Sequence, residues 1–303
     1  MSDDSNFPGL RMVVLAGPNG SGKSTVTNGL KLSPVFPPLY INADDISKNE
    51  LAHISDANSR NMAAAKLAED RRKKALQNRE AFAFETVMST PGKIALFDEA
   101  RSLGFSVDLI FVTTSDPVIN FVRVENRVLS GGHTVPEEKI FERYARAMQL
   151  LPSAIEKADS AEIYDNSKNA ILPQLVAAKS GSQIKYFEPT PDWVNESLIN
   201  VCNERRSSRE KLIGELKVLE PDAEVLDANI GNNKCYSGLI VGITDFHVMQ
   251  RNNTNLKQYL LHDKALCAPR TYEVKKSSVV SYAFGADGKH KFISLKKSHG
   301  KSL

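Results

Sequence analysis

The chain has 303 residues and a mass of 33.4 kDa, with 41 % hydrophobic and 25 % charged residues. That make-up fits two globular domains, or one large one with an appendix, and excludes disordered, collagen-like and disulfide-stapled chains. No apolar run reaches the roughly 18 residues of a membrane helix, the start Met1-Ser-Asp-Asp-Ser-Asn is acidic where a secretory signal is basic, and Cys202, Cys235 and Cys267 form no CxxC pair. A cytoplasmic protein with reduced thiols, no zinc knuckle and no membrane partner is expected.

The net charge of +3 is unevenly distributed. Residues 1–190 hold 22 Lys and Arg against 23 Asp and Glu, whereas residues 228–303 hold 12 against 4. Such a shift marks a domain boundary and points to an anionic partner for the C-terminal part.

In chain order, Met12 to Ala16 reads as a first buried strand and a helix begins near Lys23. A short strand, Leu39 to Ile41, follows the proline-rich turn 34–38. Residues 56–79 read as one long helix starting at Ser55-Asp56, with Arg71-Arg72-Lys73-Lys74 as a solvated face. Ala81 to Glu85 is a third strand, Thr90-Pro91 opens a helix that ends at Gly104, and Phe105 to Val112 is the fourth strand. Asp116-Pro117 starts a helix whose apolar positions Val118, Phe121, Val122 and Val128 keep helical spacing until Gly131-Gly132. Another helix starts after Pro136, and Ala161 to Tyr164 forms a fifth strand closed by the turn Asp165-Asn166-Ser167. Strands alternating with helices predict an α/β fold, a parallel sheet with helices on both faces, completed by about residue 187. A helical connector over 188–227 starts at Thr190-Pro191-Asp192-Trp193. Beyond it Tyr236 to Gln250, Tyr259 to His262, Val279 to Phe284 and Lys291 to Leu295 predict a small β-rich domain. The expected domains are therefore 1–187, 188–227 and 228–303.

The first strand runs into Gly17-Pro18-Asn19-Gly20-Ser21-Gly22-Lys23-Ser24-Thr25, which satisfies G-x-x-x-x-G-K-[ST] between a strand and a helix. Glycines let backbone N–H groups turn inward around phosphate oxygens, and the helix N-terminus adds its dipole. Lys23 is placed on the β- and γ-phosphates of ATP and Ser24 on Mg²⁺. No Mg²⁺-holding Asp ends the strand 105–112, as a motor or switch would require. Acids instead follow two other strands, Asp44-Asp45 and Glu85-Thr86, and groups beyond strand carboxyl ends face the ligand crevice of an open parallel sheet. A hydroxyl acceptor needs a carboxylate to take its proton, so Asp44 is the expected base, Asp45 the N-cap of a helix at Ile46, and Glu85 a holder of the acceptor. Arg123 and Arg127, at i and i+4 before Gly131-Gly132-His133, read as a cationic lid that neutralises the transferred group. Arg143 and Arg146 are further candidates.

Val14-Leu-Ala-Gly-Pro-Asn-Gly-Ser-Gly-Lys-Ser-Thr25, Tyr40-Ile-Asn-Ala-Asp-Asp45, Phe84-Glu-Thr86, Arg123 to Arg127 with Gly131-Gly-His133, Arg143-Tyr144 and Tyr164-Asp-Asn-Ser167 together resemble the zeta toxin family of UDP-N-acetylglucosamine kinases, over about residues 10–187. The resemblance implies ATP- and Mg²⁺-dependent phosphorylation of the amino-sugar 3′-hydroxyl of a UDP-sugar, loss of cell-wall precursors, and restraint by a small helical antitoxin over the ATP site. It implies Asp44 as base, Glu85 and Thr86 on the sugar, Lys23 and Ser24 on the nucleotide, lid arginines on the γ-phosphate, and His133 near the second lid position. The family's lid arginines are spaced further apart than Arg123 and Arg127.

Tyr236-Ser-Gly-Leu-Ile and Asp245 to Gln250 resemble a small module appended to some plasmid-borne proteins. Its basic charge with Tyr236, Phe246, Tyr259, Tyr282 and Phe292 permits nucleic-acid binding, but alternating aromatics in strands more often form the sheet's own core, which is the stronger reading. Two other readings stand beside the UDP-sugar kinase. One is a kinase acting on a nucleoside, a dinucleotide or a nucleic-acid end, and the other a nucleotide-dependent nucleic-acid-binding protein.

Overall fold

The computed structural model describes residues 9–130, 135–229, 235–267, 276, 278–284 and 290–296. The chain divides into two compact units, one of residues 1–89, 100–147 and 154–191, the other of 90–99, 148–153 and 192–303.

The first unit is built on a seven-stranded sheet. Its elements are β1 (Arg11–Ala16), α1 (Lys23–Leu30), β2 (Leu39–Ile41), α2 (Ala43–Asn49), α3 (Ala57–Gln77), β3 (Phe82–Thr86), α4 (Pro91–Ser102), β4 (Ser106–Thr113), α5 (Pro117–Leu129), α6 (Glu137–Lys157), β5 (Ser160–Asp165), β6 (Gln174–Ser180) and β7 (Gln183–Tyr186). Parts of α4 and α6 belong to the second unit. The strand order is β2-β3-β1-β4-β5-β6-β7. The first five strands are parallel, and β6 and β7 add on antiparallel. This is the mostly parallel P-loop kinase architecture that the alternating pattern predicts, and β1 is central because Met12 to Ala16 are all apolar and buried. The hairpin β6–β7 was not legible. Its residues Gln174–Ser180 and Gln183–Tyr186 carry Lys179 and Lys185 and mix buried with exposed positions, a weak strand signal beside the apolar runs of β1 and β4.

Two expectations for helices are corrected. Arg72 is not on a solvated face: it is buried, its guanidinium 5.1 Å over the Phe84 ring, while Lys73 and Lys74 are exposed. A guanidinium is weakly hydrated and stacks on aromatic faces, so a basic run on a helix can contribute one member to the interior. In α5, Val118 and Val122 are 49 % and 48 % exposed while Asn120 and Val124 are buried. Polar Asn120 takes an inward position that apolar periodicity assigns to its neighbours. The helix expected after Pro136 is α6, which runs through Pro152 to Lys157.

The second unit contains the short α7 (Asp192–Val194), a π-helical turn Asn195–Ile199 and α8 (Asn200–Leu219). Its strands are β8 (Glu224–Asp227), β9 (Cys235–Ile243), β10 (His247–Arg251), β11 (Gln258–Asp263), β12 (Val279–Phe284) and β13 (His290–Lys296), ordered β13-β12-β9-β10-β11-β8. The single run expected over Tyr236 to Gln250 is a hairpin that turns at Thr244–Phe246. Leu212 and Leu216 of α8 share a core with Ala223, Met249, Tyr259 and Leu261. Tyr259 is buried and donates its hydroxyl to Glu220 at 2.6 Å, so its ring belongs to the interior and is closed to base stacking. Arg205, 3 % exposed, pairs with Asp263 at 2.7 Å. Cys202 and Cys267 are buried and Cys235 is exposed, all as free thiols.

Candidate active site

The loop between β1 and α1 lies at the carboxyl end of the central strand, beside the point where the strand order reverses between β3 and β4. In open α/β sheets such crevices hold ligands. Its glycines answer to geometry. Gly17 has φ +143° and a Cβ there would lie 2.0 Å from the Val112 carbonyl oxygen. Gly22 has φ +92° and its Cβ would lie 2.2 Å from Asn166 Nδ2. Both torsions and both approaches require the absent side chain.

Lys23 is the first residue of α1 and is buried. Its ammonium donates to the carbonyl oxygens of Gly17 and Pro18, each at 2.9 Å. Burial lowers its pKa, the charges of Glu85 and Asp44 oppose the shift, and Arg127 adds to it. Four elements thus place charged groups in one electrostatic neighbourhood. Ser21 Oγ is buried without a hydrogen-bond partner, a donor that a phosphate oxygen would satisfy. A cradle that only glycine fits, an orphaned hydroxyl and a lysine turned onto the loop suit the phosphates of a nucleotide. Ser24 and Thr25 are exposed in the first turn of the helix.

On the neighbouring strand tips, Tyr40 donates its hydroxyl to Glu85 Oε2 at 3.0 Å, and Asn42 Nδ2 donates to the Tyr40 oxygen at 3.0 Å and to Glu85 at 3.4 Å. Burial, then the Glu85 charge, raise the Tyr40 pKa, which keeps this phenol a donor. The cap of α2 is Asn42, whose Oδ1 accepts the Asp44 N–H at 2.8 Å; the helix begins at Ala43 and not at Ile46. Asp45 is therefore not the cap. Asn42 leaves β2 in extended conformation and reaches the first free N–H groups before Asp45 can. Asp44 and Asp45 both lie exposed in the first turn, where the helix dipole favours their charge. The Thr86 carbonyl accepts the Gly17 N–H at 3.2 Å and its hydroxyl accepts the Met88 N–H at 3.2 Å.

The two arginines of α5 diverge. Arg127 is exposed and acts electrostatically on Lys23. Arg123 donates to the Asn166 carbonyl and to Asn169 Oδ1, both at 2.8 Å. Arg146 pairs with Glu142 of its own helix, which Lys139 also joins. Arg143 is half-buried on the same helix. Gly131, Gly132 and His133 lie outside the described residues.

Two asparagines that brace the loop were missed as site residues. Asn120 Nδ2 donates to the Asn19 carbonyl at 2.7 Å and its Oδ1 accepts the Thr114 hydroxyl, while Tyr144 donates to the Thr114 carbonyl at 2.7 Å. Asn166 Nδ2 donates to the Ser21 carbonyl at 2.8 Å. A lone Asn within an apolar helical stripe was the available signal for the first. For the second, the Asp-Asn-Ser turn marked the place but not the partner.

Among known proteins, the family described as zeta toxin matches residues 8–174. The chain is similar to a solved AvrRxo1-ORF1:-ORF2 structure with ATP, at 14 % identity over 60 % of this chain and 62 % of that one, TM-score 0.49. It thus spans less than two thirds of that chain's length. It is similar also to the PezAT chromosomal toxin–antitoxin system of Streptococcus pneumoniae, at 16 % identity over 68 % and 90 %, TM-score 0.44. A gluconokinase from Sinorhizobium meliloti 1021 is similar at 16 % identity over 54 % and 85 %, TM-score 0.28. No curated protein matches the chain.

Proposed function

The chain belongs to the zeta toxin family of P-loop kinases, and from that premise we propose that it transfers the γ-phosphoryl group of ATP to the amino-sugar 3′-hydroxyl of UDP-N-acetylglucosamine or a related UDP-sugar. The observation that carries this reading is the glycine cradle with buried Lys23 turned onto its Gly17 and Pro18 carbonyls, at the strand-tip edge that also bears Glu85 and Asp44, whose charges act on Lys23. Acids that would hold and deprotonate an alcohol share one field with the lysine that would hold the nucleotide.

In this reading Asp44 takes the proton as the hydroxyl oxygen bonds to the γ-phosphorus. The bond from that phosphorus to the bridging oxygen breaks, and ADP leaves. Lys23 and Arg127 stabilise the charge on the transferred group. Glu85, held by Tyr40 and Asn42, orients the acceptor with Thr86. Residues Gly17 to Thr25 bind the nucleotide, with Ser24 the residue that would hold Mg²⁺, which supplies further charge neutralisation when bound. Family membership also supports a small helical antitoxin as partner. Among the described residues no helix is long and apolar enough to cross a membrane.

The test is mass spectrometry of UDP-sugars incubated with ATP, Mg²⁺ and the full chain, with Asp44→Asn as control. A gain of one phosphate that the variant abolishes is the expected result. Labelling of a nucleoside, a dinucleotide or a nucleic-acid end, with no UDP-sugar modified, would replace the proposed acceptor.

A further inference from the structure

The turn after β5 is tied to its surroundings more heavily than a connecting turn needs. Asp165 accepts the backbone N–H and the hydroxyl of Ser167 at 2.8 and 3.0 Å. Ser167 Oγ accepts the Ser115 N–H at 2.8 Å, and the Asn166 N–H donates to the Thr113 carbonyl at 2.7 Å. On this fixed base Asn166 extends its side-chain amide to the Ser21 carbonyl at 2.8 Å, and Arg123 closes on the Asn166 carbonyl at 2.8 Å from the other side.

A trans peptide is planar, with its C=O and N–H pointing in opposite directions. Pinning the Ser21 carbonyl against Asn166 therefore sets the direction of the Gly22 N–H, one of the donors of the phosphate loop. Gly22 is the αL cap of α1 and has no side-chain cap bond of its own, and its missing Cβ leaves the space that the Asn166 amide fills. Burial lowers the Arg123 pKa and the Asp165 charge opposes the shift, as suits a guanidinium fixed in a wall. Both of its hydrogen bonds go to protein oxygens, those of the Asn166 carbonyl and the Asn169 side chain, each at 2.8 Å.

We propose that Asn166 and Arg123 form a strut that holds the Ser21–Gly22 peptide in its phosphate-binding orientation, and that Arg123 is a positioning residue acting through Asn166, not a ligand of the γ-phosphate. The proposal deepens the kinase reading and rests on it only for nucleotide binding. A strut acts on the loop that grips the β-phosphate, so it serves ADP and ATP alike; a lid arginine on the γ-phosphate serves ATP alone.

The experiment measures ADP and ATP affinity of the full chain by titration calorimetry, without any acceptor, for wild type, Asn166→Asp, Arg123→Ala, Arg123→Lys and the double variant Arg123→Ala/Asn166→Asp. Thermal melts verify that each variant folds. Asn166→Asp replaces the donor by an acceptor facing a carbonyl, and its affinity for both nucleotides falls about tenfold, the scale of one buried hydrogen bond. Arg123→Ala weakens ADP and ATP by the same factor, and adds less than about threefold in the Asn166→Asp background, because residues in one network are non-additive. Arg123→Lys retains one donor and recovers part of the loss; it also replaces Arg123→Ala should that variant fail to fold. Loss confined to ATP, losses that multiply in the double variant, or unchanged affinity would each overturn the strut. A wild type that binds both nucleotides but phosphorylates no UDP-sugar would defeat the function proposed above and leave this test intact.

Discussion

The hydroxyl of Tyr40 stands 3.0 Å from Glu85 Oε2 and donates to it, so an aromatic residue from β2 fixes one oxygen of the carboxylate at the tip of β3. Asn42 donates to both, and also caps α2, the helix that carries Asp44. The acid proposed to hold the acceptor and the one proposed to deprotonate it are thus linked through a single asparagine.

Removing the phenol should loosen Glu85 without unfolding the sheet. Tyr40→Phe is expected to raise the acceptor KM about tenfold, a hydrogen bond to a charged group being involved, with kcat and nucleotide affinity little changed. Steady-state kinetics with varied UDP-sugar checks this; an unchanged KM would remove Glu85 from the acceptor site.

Lys23 carries two outcomes. Lys23→Ala should abolish turnover while the chain stays folded, as a radiometric kinase assay and a thermal melt would show. The second concerns pH. Burial favours the uncharged amine, so between its lowered pKa and the ordinary lysine value the native chain binds fewer protons than the unfolded one. Stability from this group then rises with pH across that window, and the penalty is complete below it. The difference in Tm, wild type minus Lys23→Met, should accordingly increase as pH rises toward the ordinary lysine value of about 10.4; a flat difference refutes the shift.

Arg127 is the exposed arginine of α5 that reaches Lys23 electrostatically. Arg127→Ala is expected to lower kcat by roughly 10³-fold, the range of an arginine stabilising a transferring phosphoryl group, and to leave ADP affinity near wild type. Equal losses in kcat and ADP binding would speak against a role confined to the γ-phosphate.

In the second unit the buried Arg205–Asp263 pair is expected to be costly to break. Asp263→Ala should destabilise by about 3–5 kcal/mol, because it strands a buried guanidinium. Replacing both residues by apolar ones should cost less than either single change, which denaturant unfolding would read. Burial pushes the Asp263 carboxyl up, the Arg205 guanidinium and its bonds pull it down further, and the net pKa is lowered. Its contribution is therefore present above the ordinary carboxylate value and is lost as pH falls through the lowered one.

Much of this molecule was legible from residue order alone. The run from Met12 to Thr25 specifies a buried strand, a glycine turn and a helix start, because each is governed by neighbours within a few positions. The β2 boundaries, Leu39 to Ile41, and the Asp56 and Asp116 caps follow from the same local rules. The candidate acids Asp44 and Glu85 were also found locally, since Glu85 sits at the carboxyl end of β3 and Asp44 lies just past β2.

What only the tertiary structure decided are the partners separated by long stretches of chain. Asn166 meets Ser21, Asn120 meets Asn19, Arg72 covers Phe84 and Arg123 turns to Asn166, pairings that no periodicity encodes. Hydrophobic spacing reports which face of an element is apolar. It is silent on a polar side chain whose burial is compensated by a hydrogen bond to a distant carbonyl, because that compensation exists only once the sheet has brought both groups together.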